Sequence, residues 1–314
     1  MTNGTLARFV LLALLWGASF TFIKVSLEGL TPAQIVLSRL VLGALVLLAI
    51  AAVRKVALPR GGLGVWGHLA GAALFGNVIP FLLLSYGEQG TGAGIAGVLV
   101  GSTPLLTLAL AAAALPSERA TTRKVVGLVG GFVGVVLLVG PWHSELGTLS
   151  GRLACLGAAV SYAIGFVYVR RFLSPRGLAP LSLAASQLVA AAVLQGLATP
   201  FLAWQTPEIT GRVAGSVLFL GVFSTGLAYV LYFRLIGDAG ATAASAVNYL
   251  VPVFAVLIGA VLLGEAITWN LVVGGLVVLV SVAYAENRIR PRVTRDDMSA
   301  EQTGQPGRRP ARHE

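Results

Sequence analysis

The sequence predicts an all-α membrane protein: ten transmembrane helices arranged as two inverted five-helix repeats. Three observations carry that expectation. Of the 314 residues, 56% are hydrophobic and only 11% are charged, less than half the charged share of a soluble domain. Apolar stretches long enough to cross a hydrocarbon core, about 20 residues each, recur along the chain with short connections. Four blocks of the first half also reappear, in order, in the second. This composition excludes a soluble enzyme, a disordered chain and a nucleic-acid binder built on surface charge. The one cysteine, Cys155, excludes an intramolecular disulfide and a thiolate metal cage, and His68, His143 and His313 are too scattered for a metal site. No cofactor and no metal are expected.

The expected spans are residues 7–27, 32–53, 63–85, 91–115, 125–141, 149–172, 178–203, 213–236, 241–263 and 267–285. The charges between them alternate. Arg8 precedes the first span and Glu28 follows it. Arg54, Lys55 and Arg60 separate the second from the third, and Glu88 follows the third. Arg119, Arg123 and Lys124 precede the fifth, and Glu145 and Arg152 flank the start of the sixth. Arg170, Arg171 and Arg176 lie at its end, Glu208 and Arg212 before the eighth, and Arg234 near the eighth's end. With seven arginines after Glu286, one side holds 18 of the 22 basic residues. Lys and Arg are retained on the cytoplasmic side, so both termini are expected there. That distribution accounts for the net charge of +10 without a polyanionic partner. The first span could instead be read as a signal peptide, but no cleavage site is evident. Residues 288–314 are polar, Arg-rich and Pro-containing and read as a disordered tail.

The repeat is read from matched positions. Trp16 to Lys24 aligns with Tyr162 to Arg170 at a shift of 146 residues, and Pro32 and Ser38 fall on Pro180 and Ser186 at 148. At the same shift Pro104 falls on Pro252, and Glu118 to Gly127 falls on Glu265 to Gly274 at 147. The halves are therefore residues 1–145 and 146–287. Five spans per half is an odd number, so the second copy is flipped relative to the first, the layout of many secondary transporters.

These residues also resemble a family. The Trp-Gly-Ala-Ser-Phe stretch from Trp16 to Lys24, Arg39 in the second helix, the Pro104 and Pro252 helices and the Glu118…Gly127 and Gly264-Glu265…Gly274 linkers are similar to the EamA type of the drug/metabolite transporter superfamily. The resemblance covers about residues 6–287. It implies a ten-helix fold and, in bacteria, export of amino acids or related metabolites, aromatic ones included, through the cytoplasmic membrane. Gln187 stands where the first repeat has Arg39, a departure from two matched charges.

The embedded polar residues give the candidate site. No Asp, Glu or His is expected in the middle of a span; Lys24 and Arg39 are the embedded cations, and either could attract a substrate carboxylate. The structural alternative pairs Arg39 with Glu265, with Gln187 and Glu118 as an uncharged echo, and lets Lys24 snorkel outward or pair with Glu28. Trp16 lies about 15 Å into the first helix, near mid-membrane. A mid-membrane indole suits a cavity wall as well as helix packing. Asn77 and Pro80 correspond to Thr225 and Ala228, and Ser224 and Tyr229 add hydroxyls at that depth. Pro80 is expected to kink its helix and expose carbonyls near Asn77. Ser102-Thr103-Pro104 and Asn248-Tyr249…Pro252 join polar groups to helix breaks, and Tyr162 is the counterpart of Trp16. Each could serve a neighbouring helix instead; as a set they suit one central cavity for a zwitterion with an apolar side chain.

The expected partners are that small molecule and the lipid bilayer. Glycines at four-residue spacing suit packing within one protomer, with a dimer seam as the alternative. Intramembrane proteolysis lacks an embedded base or acid pair. A multidrug exporter of quaternary ammonium compounds lacks a carboxylate within the first span, and a nucleotide-sugar or sugar-phosphate carrier would need more embedded cations. Without an evident titratable group in the pathway, transport is expected to run down the substrate's own gradient or to be coupled through a less obvious group.

Overall fold

The computed structural model describes residues 3–59, 62–114, 121–139, 147–239 and 247–285. Among them the chain forms helices and no strand. We label these α1 Asn3–Ser26, α2 Pro32–Val53, α3 Leu63–Gly90, α4 Ala93–Ala114, α5 Thr122–Val139, α6 Leu149–Arg176, α7 Pro180–Phe201, α8 (residues 211–239), α9 Val247–Leu263 and α10 Trp269–Ala285. Seven of them, α1 to α4 and α6 to α8, contain segments long and apolar enough to cross a membrane. The apolar stretches of α5, α9 and α10 are shorter: Val125–Leu137, Leu250–Leu263 and Trp269–Ser281. At 17 or 18 residues and 1.5 Å per residue, these three helices run about 25–27 Å against a core of about 30 Å. The expected tail, Glu118, and the first residues of the expected ninth span lie outside the described residues.

Helix starts follow local chemistry. Thr31 caps α2 through a reciprocal box with Gln34, with Pro32 at the first helical position. Thr148 and Thr210 cap α6 and α8 by accepting the amides of Gly151 and Val213. Of the breaks expected at prolines, those at Pro80 and Pro104 form, whereas α9 runs unbroken through Pro252. In α3 the expected kink at Pro80 is a π-helical turn, Leu74–Val78. Pro80 has no N–H for the carbonyl four residues back, and the wider turn absorbs the clash. The Phe75 carbonyl, five residues before Pro80 and so facing its missing N–H across the π turn, accepts the Ser161 hydroxyl of α6 at 2.9 Å. A π segment also closes α6, Val169–Leu173, and a third, Phe219–Leu227 in α8, contains no proline; there Thr225 Oγ1 donates to the Leu220 carbonyl at 2.8 Å.

The fourth span is split. Helix α4 breaks between Val100 and Thr103, because Pro104 cannot donate to Val100. The Thr103 hydroxyl donates to the Val100 carbonyl at 2.7 Å and Ser102 to Leu99 at 2.6 Å. At that break a Cβ on Gly101 would lie 2.8 Å from Pro252 Cγ, so α4 and α9 cross at their matched prolines.

Helix α1 lies along α9 and α8, α3 along α6, and α2 between α7 and α8; α4 packs on α9 and α6, and α5 pairs with α10. In lipid such contacts rest on close packing rather than on removal from water. The glycines show it: Gly97 meets Ala255, Gly131 meets Leu105, and Gly134 meets the Val278 backbone. Exposed apolar side chains such as Phe132, Val129, Val261 and Leu276 cover the outer faces of α5, α9 and α10, as a hydrocarbon surrounding requires.

Candidate functional site

Two sites emerge, one deep among the helices and one at their ends. The deep site assembles around α2, α3, α7 and α8. Arg39, 6% exposed, donates from Nε to Thr225 Oγ1 at 2.9 Å. Its guanidinium lies 3.9 Å from the Phe81 ring centroid, a cation–π contact that strengthens out of water. Across the repeat, Gln187 Nε2 donates to Asn77 Oδ1 at 2.7 Å, and the Asn77 amide reaches the Tyr229 hydroxyl at 3.4 Å. Arg39 and Gln187 are matched positions, as are Thr225 and Asn77, so the π segments of α3 and α8 each present one polar side chain to a helix from the other half. Asn77 and Thr225 both lie within the wide turns and both are buried.

Aromatic rings close the deep site. Tyr162 lies 6.3 Å from Phe81, edge to face, and packs on both of the main apolar clusters. Trp16 is half-buried against Tyr232, 5.6 Å between centroids, and Tyr232 stands one turn from Tyr229. The structure thus brings Arg39, Asn77, Thr225, Tyr229 and Tyr162 together and seats Trp16 beside them. Ser102 is taken up by its own helix. Asn248 is half-buried in the first turn of α9, and the side chain of Tyr249 lies outside the described residues. Phe81 was not singled out in the sequence, although it falls on Tyr229 at the 148-residue shift.

Two expected ion pairs do not form. Arg39 is not paired with Glu265, which instead accepts the amides of Ala93 and Gly94 at 2.6 and 2.8 Å, satisfying orphan donors at the N-terminus of α4. Lys24 neither snorkels nor reaches Glu28. It donates to the backbone carbonyls of Glu88 and, at 2.9 Å, Thr91, complementing the C-terminal end of α3. Glu28 pairs with Arg212 at 3.3 Å on the surface. Both cases have one physical reason: the tight α3–α4 turn leaves helix ends that demand a cation and an anion, and these are nearer than the expected partners.

A third expectation also changes. Helix α3 runs past residue 85 to Gly90, because Gly87 and Gly90 let it press against Cys155, Gly151 and Thr148 of α6 and its cap. Glu88 is thereby a helix residue at 0% exposure, not a loop acid. A cleft of about 460 Å³ opens at these helix ends, lined by residues including Lys24, Thr91, Gly92, Thr148, Glu265 and Thr268. Of the candidate residues it holds Lys24 and Glu265; the central aromatic and amide groups do not line it. His68, at the far end of α3, is bonded to Tyr168 at 3.0 Å and stacked on Phe172. Among the described residues no group of three His, Cys, Asp or Glu could hold a metal.

Comparison with known proteins agrees with this architecture. The model of the EamA-like transporter family matches residues 5–140 and again 149–285. An uncharacterized transporter of Archaeoglobus fulgidus is 28% identical over 88% of this chain and 97% of its own length. YvbV of Bacillus subtilis, also an uncharacterized transporter, is 26% identical over 88% and 90%. The uncharacterized inner membrane transporter YedA of Escherichia coli is 29% identical over 82% of each chain. A solved crystal structure at 24% identity superimposes with a TM-score of 0.63, covering 92% of this chain and 99% of the other, a likeness of fold.

Proposed function

The chain belongs to the EamA-like transporter family of the drug/metabolite transporter superfamily, a multi-pass membrane transporter of small molecules, and on that premise we propose that it carries amino acids, aromatic ones included, by alternating access. Its ten helices form two five-helix halves of opposite orientation in the bacterial cytoplasmic membrane, with both termini inside and net movement outward down the metabolite's gradient. Three things support the inverted halves. The family model matches the chain twice. The π segments of α3 and α8 fall at corresponding places. Exchanging each helix for its counterpart five places on also turns one set of contacts into another: α1 on α9 becomes α6 on α4, and α3 on α6 becomes α8 on α1. The pairs α2–α7 and α5–α10 map onto themselves.

One observation carries the substrate class. Arg39 is a buried cation in the deep site with no carboxylate within 4 Å among the described residues. An unpaired embedded charge is costly, and a substrate carboxylate would supply the missing anion. The amides of Asn77 and Gln187 suit an ammonium group, and Tyr162, Tyr229 and Trp16 suit an apolar or aromatic side chain. In proteoliposomes exchanging labelled phenylalanine, unlabelled aromatic amino acids should compete. Phenethylamine, which lacks the carboxylate, and tetraphenylphosphonium should not. Competition by those cations with none from amino acids would instead favour a multidrug carrier.

A further inference from the structure

The charge that the sequence placed in a loop is poorly accommodated: among the described residues it is a carboxylate buried without a partner. Glu88 is wholly enclosed, and neither carboxylate oxygen has a hydrogen-bond partner. Its neighbours offer little relief. From α1, Lys24 spends its ammonium on the Glu88 and Thr91 backbone carbonyls. From α6, Cys155 and Gly151 pack on Gly87, with Arg152 beside Gly151. The charges in electrostatic reach are Lys24, Glu265 and, from α2, Arg39. An enclosed carboxylate without donors is strongly disfavoured, whereas the neutral acid is tolerated far better. The residues that follow it in the chain, Gln89 to Gly92, line the cleft at the helix ends.

We propose that Glu88 is a proton-binding site of the transport cycle, linked to occupancy of the deep site. The inference rests on the transporter reading above. While the α3–α4 turn is closed, Glu88 holds a proton taken from cleft water. When the turn opens, the proton returns to that water and the carboxylate is left beside Lys24. The ionised form competes with a substrate carboxylate for the field of Arg39, so protonation and substrate binding favour one another. By reciprocity, substrate binding draws a proton onto Glu88. The metabolite's own gradient still drives net flux; the proton sets the pH at which the carrier fills.

The test is labelled-phenylalanine exchange in proteoliposomes at equal internal and external pH, repeated across a pH series. Wild type should bind at least about fivefold more tightly at the acid end. Glu88→Gln should exchange at every pH as wild type does in acid, and Glu88→Asp should keep a pH response. A Glu88→Gln variant that exchanges normally and retains the wild-type pH profile, or a wild type indifferent to pH, would overturn the proposal. Should phenylalanine not exchange at all, the substrate reading fails separately, and infrared difference spectra of purified protein still decide. A protonated-carboxyl band present in wild type and absent from Glu88→Gln supports the site; identical spectra reject it.

Discussion

Replacing Arg39 with methionine should lower amino-acid exchange roughly 30- to 150-fold while leaving an inserted, folded protein. The factor corresponds to about 2–3 kcal/mol, the worth of a hydrogen bond to a charged group. Folding should survive because Arg39 has no ionic partner among the described residues to strand. Its removal leaves Thr225 still bonded to the Leu220 carbonyl, and Met can rest against Phe81 as the guanidinium does. A buried ion replaced by an apolar side chain of similar volume is often neutral for stability. Arg39→Lys should recover only part of the flux, since an ammonium keeps the charge but loses the planar stack and the Nε donor. Flux and thermal stability measured on the same preparations separate the two effects. Loss of both together would make Arg39 a structural residue and remove the basis for a carboxylate substrate.

The second large effect is steric. A Cβ at Gly165 in α6 would lie 2.9 Å from both the N and the Cα of Gly76, and 3.1 Å from the Phe75 carbonyl carbon. All three are backbone atoms of the π turn, so no side chain can swing aside. Gly165→Ala should destabilise the protein by about 1–3 kcal/mol, the usual cost of overpacking, and should displace Asn77, which is held by the same turn. Gly76→Ala faces the tip of Gln187 at 3.1 Å, a flexible side chain that can move. It should cost little stability and weaken exchange only through the Gln187–Asn77 bond. Thermal unfolding in detergent compares them: equal effects from the two substitutions would mean that the α3–α6 crossing is looser than the 2.9 Å approach at Gly165 requires.

Much of the architecture was legible because the bilayer enforces it. A hydrocarbon solvent demands long apolar runs with internally paired backbone, and the 148-residue shift made Asn77 and Thr225, or Arg39 and Gln187, correspond before any contact was known. What the sequence could not express was partner choice. Arg39 and Glu265 look complementary as charges, yet Glu265 is claimed by the bare amides of Ala93 and Gly94 and Lys24 by carbonyls, because helix ends compete for ions without appearing in a charge count. Glu88 was misplaced for a related reason. A glutamate followed by Gln89 and Gly90 reads as the edge of a loop, and only the approach of α6 to Gly87 and Gly90 shows that the helix continues around it. The α3 bulge had a signal in Pro80. The α8 bulge had none except its place in the repeat.

Alternating access of this kind depends on two halves of opposite orientation, and equivalent loops test that directly. Lys55, after α2, and Ala203, after α7, stand at matched positions and are both exposed. In a Cys155→Ala background, Lys55→Cys and Ala203→Cys should be labelled by a membrane-impermeant thiol reagent from opposite sides: Ala203→Cys in intact cells, Lys55→Cys only after permeabilisation. Labelling of both from the same side would contradict the inverted repeat and the transport cycle built on it.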